Sequence, residues 1–497
     1  MSKTVRVICL VFSIALALFC FAGCKQEEET ASKPTVSISD MKPTDQIQNT
    51  SDNDLPDVDL KGVTLKVACD RDFDSCLFPD PEQDELSKRR NDWIEQCKKD
   101  YNFDLEYVHY TWNEMTKTLM PDLLTGDYVA DFVLPAIRQT GPFIQAGLCA
   151  NLNDSDIAQY LDFSKPWWDQ TMLQASTING KTYACTPQFT SSANTTWVCF
   201  FNYKVLEDIG YTPDYLYDLQ DKGTWTWEEF HKLCKLAVLD TNDDGKLERG
   251  VDRFGFVAAG WHISQCLMTV SGAEYIVTDP TTGNLKYNLD NSHGITAIQK
   301  MNEIFTDRGV FHAGLAPVMQ TLFSSDQALF MTYQVQACQS EYLRNMESDF
   351  GMLLMPKYSA DTEYISRAEQ TTLCCFIPAT CQYRTETAFA LQALSYSAWK
   401  VGVPDIMELN YTQYVRDDKS QFCIDEVFNH TTFTIDQLLY DVGSGENTWY
   451  KIIDVNLSKP TLNVSNMDVS NAVKTIAPLC QNLLDEFYNQ TTENTDG

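Results

Sequence analysis

Basic residues are in short supply: 37 Lys and Arg stand against 69 Asp and Glu, a formal net charge of −32 over 497 residues. Nucleic acid and anionic lipid surfaces repel such a surplus and are disfavoured as partners; solubility alone accounts for much of it. Histidine is rarer still. His109, His231, His262, His293, His312 and His430 are scattered without ligand spacing, and no H-E-x-x-H, G-x-S-x-G or Walker-type loop occurs. Two of the 69 acids meeting in a cleft would suffice to hydrolyse a glycoside, but the sequence singles out no pair, so no enzyme is expected. No C-x-x-C pair occurs among the 17 cysteines, and Cys374, Cys375 and Cys381 follow no metal or redox spacing. Most are expected to be small buried hydrophobes, and the sequence cannot pair any as disulfides. Beyond residue 24 no apolar run is long enough to span a bilayer.

What is present begins with the N-terminus. Lys3 and Arg6 precede an apolar run from Val7 to Phe21, then Ala22, Gly23 and Cys24. This predicts an export signal over 1–24, not a membrane-spanning helix. A cut before a cysteine resembles the processing of bacterial lipoproteins, in which Cys24 would carry a diacylglycerol. Phe21 stands where such signals usually carry Leu, and plain secretion by cleavage nearby is the other reading. The location expected is the outer side of the cell membrane, with lipid contact through the anchor alone. Residues 25–60 hold no aromatic and no sustained apolar period, which predicts a disordered tether with a reach of roughly 30 to 35 Å. Residues 61–487 are long enough for two cores, and 488–497 are expected to form a flexible tail.

The first third alternates strand and helix patterns: Val63 to Cys69, Phe103 to Tyr110 and Asp131 to Leu134 read as strands, with helical spacing over Asp84 to Tyr101, Trp112 to Leu124 and Gly141 to Leu148. That order predicts an α/β fold with a parallel sheet covered on both faces. Ligands gather at the carboxyl ends of such strands, which directs attention to Asp70, Arg71 and Asp72, to Trp112, and to Pro135 and Arg138.

Further on come GKTYACTP leading into TTWVCFFN, then GTWTWEEF, DTNDDGKLERGVDRFGF, SSDQALFMTY, FGMLLMPK and YVRDDKSQFCIDEVFNHTTFTIDQLLYDVG. In order and spacing, from about residue 62 to 445, these resemble the extracellular solute-binding proteins of ABC importers, particularly the lipoprotein group that includes carbohydrate binders. The resemblance implies a two-lobed, type II periplasmic-binding-protein-like fold with interleaved lobes: 61–186 plus 314–357 as lobe one, 187–313 plus 358–487 as lobe two, and a crossover at Tyr183 to Pro187. It implies a receptor that closes about a hinge on a small solute, a sugar or oligosaccharide, and delivers it to an ABC permease. A secreted carbohydrate-active enzyme and a receptor presenting solute to a membrane sensor kinase are the alternatives.

Sugar sites set a flat aromatic against charged or amide groups. Trp112, Trp197, Trp261 and Tyr333 fall near strand ends that would face the cleft, although each residue type is more often core. Trp197 sits in the alternating run TTWVCFF, which favours core. Trp261 and His262 sit in AAGWHIS, a loop-like stretch that favours ligand contact. Asp70 and Arg138 are the polar candidates, against ordinary solvated surface. Trp225 and Trp227 open a helix capped by Thr224 or Thr226. Asp240, Asn242 and Asp244 before Gly245 match the first half of a calcium loop, but Val251 occupies the twelfth position, so Glu248 or Asp252 would have to complete the shell. No cofactor is required; structural calcium is the one ion the spacing suggests, and an Asp/Asn/Gly turn needs no metal.

Overall fold

The computed structural model describes residues 36–37, 55–70, 76–190, 195–400 and 414–493. Cys24, Arg71 and Asp72 lie outside them. Two sheets organise the described chain. The first joins β1 (Val63–Asp70) in parallel to β2 (Phe103–Tyr110) on one side and β3 (Phe132–Leu134) on the other. Helix α1 (Glu85–Tyr101) makes the first crossover: Asp84 caps the Ser87 amide, while Trp93, Ile94, Cys97 and Tyr101 bury one stripe. Asn102 ends the helix with φ +54 and returns its amide to the Lys98 carbonyl, turning the chain directly into β2. Trp112 to Leu124 is helical, with a π turn over Met115–Leu119.

The second sheet contains β4 (Trp197–Asn202), β5 (Phe254–Ala258), β6 (Phe311–Ala313), β7 (Ala328–Gln334) and β8 (Phe350–Leu353), in the order β6-β5-β7-β4-β8. β4 alone runs antiparallel to its neighbours β7 and β8. Every residue of β4 and β5 is buried, as expected of strands covered on both faces.

The interleaving differs from the one expected. β7 and β8 come from 314–357, assigned by resemblance to the first lobe, yet they pair with β4 in the second sheet. The first sheet is instead met by isolated bridges from residues 373–376: Phe376 bridges Val133 and Leu373 bridges Ala136, while Cys375 bridges Cys185 nearby in the chain's crossover. An apolar strand fits either sheet by pattern, and only the crossovers decide between them. Helix α7 (Arg384–Lys400) then covers α1. At the N-terminus the expected bound of the tether, residue 60, falls inside the folded body: Val58 and Leu60 are buried against the first lobe and Val58–Asp59 pairs with Val36–Ser37. At the other end, helix α9 (Val469–Glu493) takes in the first residues of the expected tail, 488–493, and buries Thr491.

All fourteen cysteines from Cys69 to Cys480 are buried and free of disulfides. Burial pushes up the thiols of Cys97, Cys266, Cys374 and Cys480, Cys374 to about 12, which keeps these four protonated. Among the described residues no helix is long and apolar enough to cross a membrane.

Candidate functional site

Residues 368–376 run from the carboxyl end of the second sheet to that of the first, through a turn in which the Thr372 amide donates to the Glu369 carbonyl at 3.0 Å. Ala368 bridges Thr196 just ahead of β4, and Phe376 bridges Val133 in β3. Glu369 lies on this stretch, 2% exposed. One of its oxygens accepts from the Trp197 indole at 2.9 Å. The other lies 2.9 Å from His262 Nδ1 and accepts the Gln370 amide at 3.0 Å. Burial pushes the Glu369 carboxyl up, but the charge and hydrogen bond of His262, the indole and the Gln370 amide together hold it below its ordinary value.

A cavity of about 630 Å³ opens beside this centre at the carboxyl ends of β5, β6 and β7. Its polar side consists of His262, Glu369, Tyr333, Gln334, Lys459 and Asn463. Lys459 is tied at 2.8 Å to Asp454, whose side chain is buried. The pair spans a π turn, Asp454–Ser458, that places residues five apart on one side of the helix. Tyr333 meets Trp197 edge to face, ring centroids 5.8 Å apart. Burial, with Glu369 nearby, raises the Tyr333 phenol above its ordinary value.

The first lobe contributes helix α2 (Ile137–Gln145), whose N-terminal amides at Ile137 and Arg138 donate to the carbonyls of Thr372 and Gln370. Arg138 grips Asp441 with two hydrogen bonds of 2.8 and 2.7 Å. Its guanidinium lies 4.2 Å from the Tyr440 ring centre and 6.0 Å from that of Trp112. Burial lowers its proton affinity, and Asp441 more than restores it; Glu369 contributes to the same field. Gly141 permits the close crossing of α2 over α8 (Ile435–Leu438), since a Cβ there would stand 2.1 Å from the Leu438 carbonyl oxygen.

The sequence candidates fall as follows. Asp70 ends β1, buried opposite Tyr110. Trp112 is half-buried and accepts from the Gln139 amide through its carbonyl. His262 and Tyr333 line the cavity; Arg138 is not among its lining residues and stands on α2 against Asp441, its amide donating to the Gln370 carbonyl, whereas Trp197 is 1% exposed and serves as a core ring that orients Glu369. Trp261 is not in a loop: it occupies the first turn of α4 (Gly260–Val270), whose N-cap Ala259 carries no capping side chain. Its own side chain lies outside the described atoms. Thr226 caps the helix opened by Trp227. Glu369, Asp441, Tyr440 and Lys459 were not singled out in sequence, because no motif marks them.

The 240–252 turn closes on itself. Asp240 accepts the Gly245 amide, Asn242 that of Asp244, Asp244 that of Lys246, and Asp252 those of Thr241 and Glu248. Among the described residues no group of three or more His, Cys, Asp or Glu is placed to hold a metal ion.

The family model of bacterial extracellular solute-binding proteins matches residues 92–395. No curated protein matches the chain in sequence. Among solved structures, the cyclic α-maltosyl-1,6-maltose binding protein of Arthrobacter globiformis superposes with a TM-score of 0.57 at 12% identity, covering 85% of this chain and 99% of that one. UgpB of Mycobacterium tuberculosis, in complex with glycerophosphocholine, gives 0.55 at 15%, with 85% and 98% covered. An ABC transporter solute-binding protein of Thermotoga lettingae bound with α-D-tagatose gives 0.53 at 14%, with 85% and 100% covered. At these identities the likeness speaks for the fold: type II, two-lobed and α/β. The family is one of binding proteins, not enzymes, and the match covers more than half of the chain with strands from both sheets, so the chain belongs to the bacterial extracellular solute-binding proteins.

Proposed function

We propose that the chain captures a neutral, hydroxylated solute, a sugar or oligosaccharide, between its lobes and delivers it to an ABC permease. The observation that carries this reading is charge pairing. Arg138 is set against Asp441, Glu369 against His262, and Lys459 against Asp454. A solute carrying full charge would have to compete with those partners, whereas hydroxyl groups can add hydrogen bonds to paired ions without breaking them. Tyr333 and Trp112 supply aromatic surface on opposite sides of the hinge stretch, suited to the C–H face of a sugar. Solved structures of the same fold are named for maltose-type oligosaccharides and for tagatose. Closure follows from differential affinity: a solute touching both lobes favours the state in which they meet.

The test is a thermal-shift screen of the mature chain against mono- and oligosaccharides, amino acids and peptides. A sugar at about 100 times its Kd stabilises by about 2.7 kcal/mol. Stabilisation by amino acids or peptides alone refutes the sugar reading. The lipid anchor belongs to the same proposal: Cys24→Ala should release the protein from the membrane fraction with its melting temperature unchanged, and retention after a high-salt wash refutes the anchor.

A further inference from the structure

The cavity is two-sided, and its second side is aliphatic. From the end of β6 the chain runs Ala313-Gly314-Leu315-Ala316-Pro317 without one polar side chain, and all five residues line the cavity. Leu462 joins them from the C-terminal helices. A Cβ placed on Gly260 would stand 3.7 Å from Leu462 Cδ1 and 3.8 Å from Ala313 Cβ, so the three form one continuous wall. Leu315 is 70% exposed, the highest value among the exposed large hydrophobics of the described chain, and it stands at the lip of the cavity that holds His262 and Glu369. Leaving a leucine in water beside a preformed cavity forgoes burial that an apolar occupant would supply.

We propose that this wall is a subsite for an aliphatic group carried by the solute: a hydroxylated head meets His262, Glu369 and Tyr333, and an alkyl or deoxy portion lies along Leu315, Pro317 and Leu462. The inference rests on reading the cavity as the solute site and adds the chemical class of the solute's second half. Charge supports the same occupant. Lys459, the lysine among the lining residues, is committed to the buried Asp454 at 2.8 Å, so its charge is already paired.

The probes are D-glucose, methyl, butyl and hexyl β-D-glucoside, and 1-hexanol, titrated calorimetrically into the full mature chain and into Leu315→Asn. An exposed position tolerates the polar replacement, so the variant folds. In the unsubstituted chain, affinity should rise about fourfold for each methylene laid on the wall, and 1-hexanol should bind and compete with hexyl glucoside. In Leu315→Asn the hexyl-to-methyl affinity ratio should fall at least about tenfold. Equal affinity for methyl and hexyl glucoside overturns the subsite. So does an unchanged hexyl-to-methyl ratio in the variant, which would make Leu315 a contact for the closing lobe. Binding of 1-hexanol with D-glucose and methyl glucoside silent leaves the subsite standing and refutes glucose as the head group. Silence of every probe overturns the subsite.

Discussion

His262 Nδ1 lies 2.9 Å from Glu369 Oε1, joining the first turns of α4 to the stretch that crosses between the sheets. The carboxylate is buried and its proton affinity depressed. A depressed carboxylate stabilises the fold above its unfolded pKa, near 4.5, and that stability is lost as pH falls through the lower folded value. Glu369→Gln should therefore cost about 1.5–3 kcal/mol near neutral pH. The deficit should shrink as the pH drops below about 4.5. Denaturant midpoints measured across pH check this; a deficit that stays constant into acid contradicts it.

Trp197 serves the same carboxylate from the core side. Trp197→Ala should cost about 3–5 kcal/mol through the cavity it leaves. Trp197→Phe keeps most of the ring but leaves Glu369 Oε2 without its indole donor, and should cost about 1–3 kcal/mol. Urea midpoints of the two variants separate packing from hydrogen bonding. A Trp197→Phe variant as stable as the unsubstituted chain would mean the indole N–H contributes nothing.

The contact between α2 and α8 depends on a missing side chain. Gly141→Ala improves helix propensity by about 1 kcal/mol. It also drives a methyl group to within 2.1 Å of the Leu438 carbonyl oxygen. Overpacking should win, for a net loss of about 1–3 kcal/mol. A stabilised variant would show that the two helices separate freely.

The 240–252 turn should hold its shape through its own amides. Melting curves with and without chelator are expected to coincide, while Asp252→Ala, which strips the Thr241 and Glu248 amides of their acceptor, lowers the melting temperature. A drop on chelation that disappears in Asp240→Ala would instead assign calcium to the turn.

Much of the first lobe was legible residue by residue. Period-two alternation marks β2 at its observed bounds, and Asp84 with the Trp93, Ile94, Cys97 stripe marks α1 within one residue. Local signals ended where topology began. β7 reads as a buried strand wherever it lies, so its place beside β4 follows only from the crossovers. Helix α4 went unread at AAGWHIS because Ala259 offers no capping side chain, the usual sign of a helix start. Glu369 lies 107 residues from His262 and 172 from Trp197. No spacing rule reaches across such distances, so the centre of the site emerges only after both lobes are assembled.

Capture between the lobes is tested most directly by calorimetry of the sugar that stabilises the chain most, against one variant from each lobe. Trp112→Ala removes the aromatic surface of the first lobe, and His262→Ala the polar group of the second. Both should weaken binding at least tenfold, about 1.4 kcal/mol, measured where each variant is fully folded, since His262→Ala also strips the buried Glu369 of a partner and lowers the denaturant midpoint. Loss in one variant with full affinity in the other would place the solute on a single lobe and contradict capture between them.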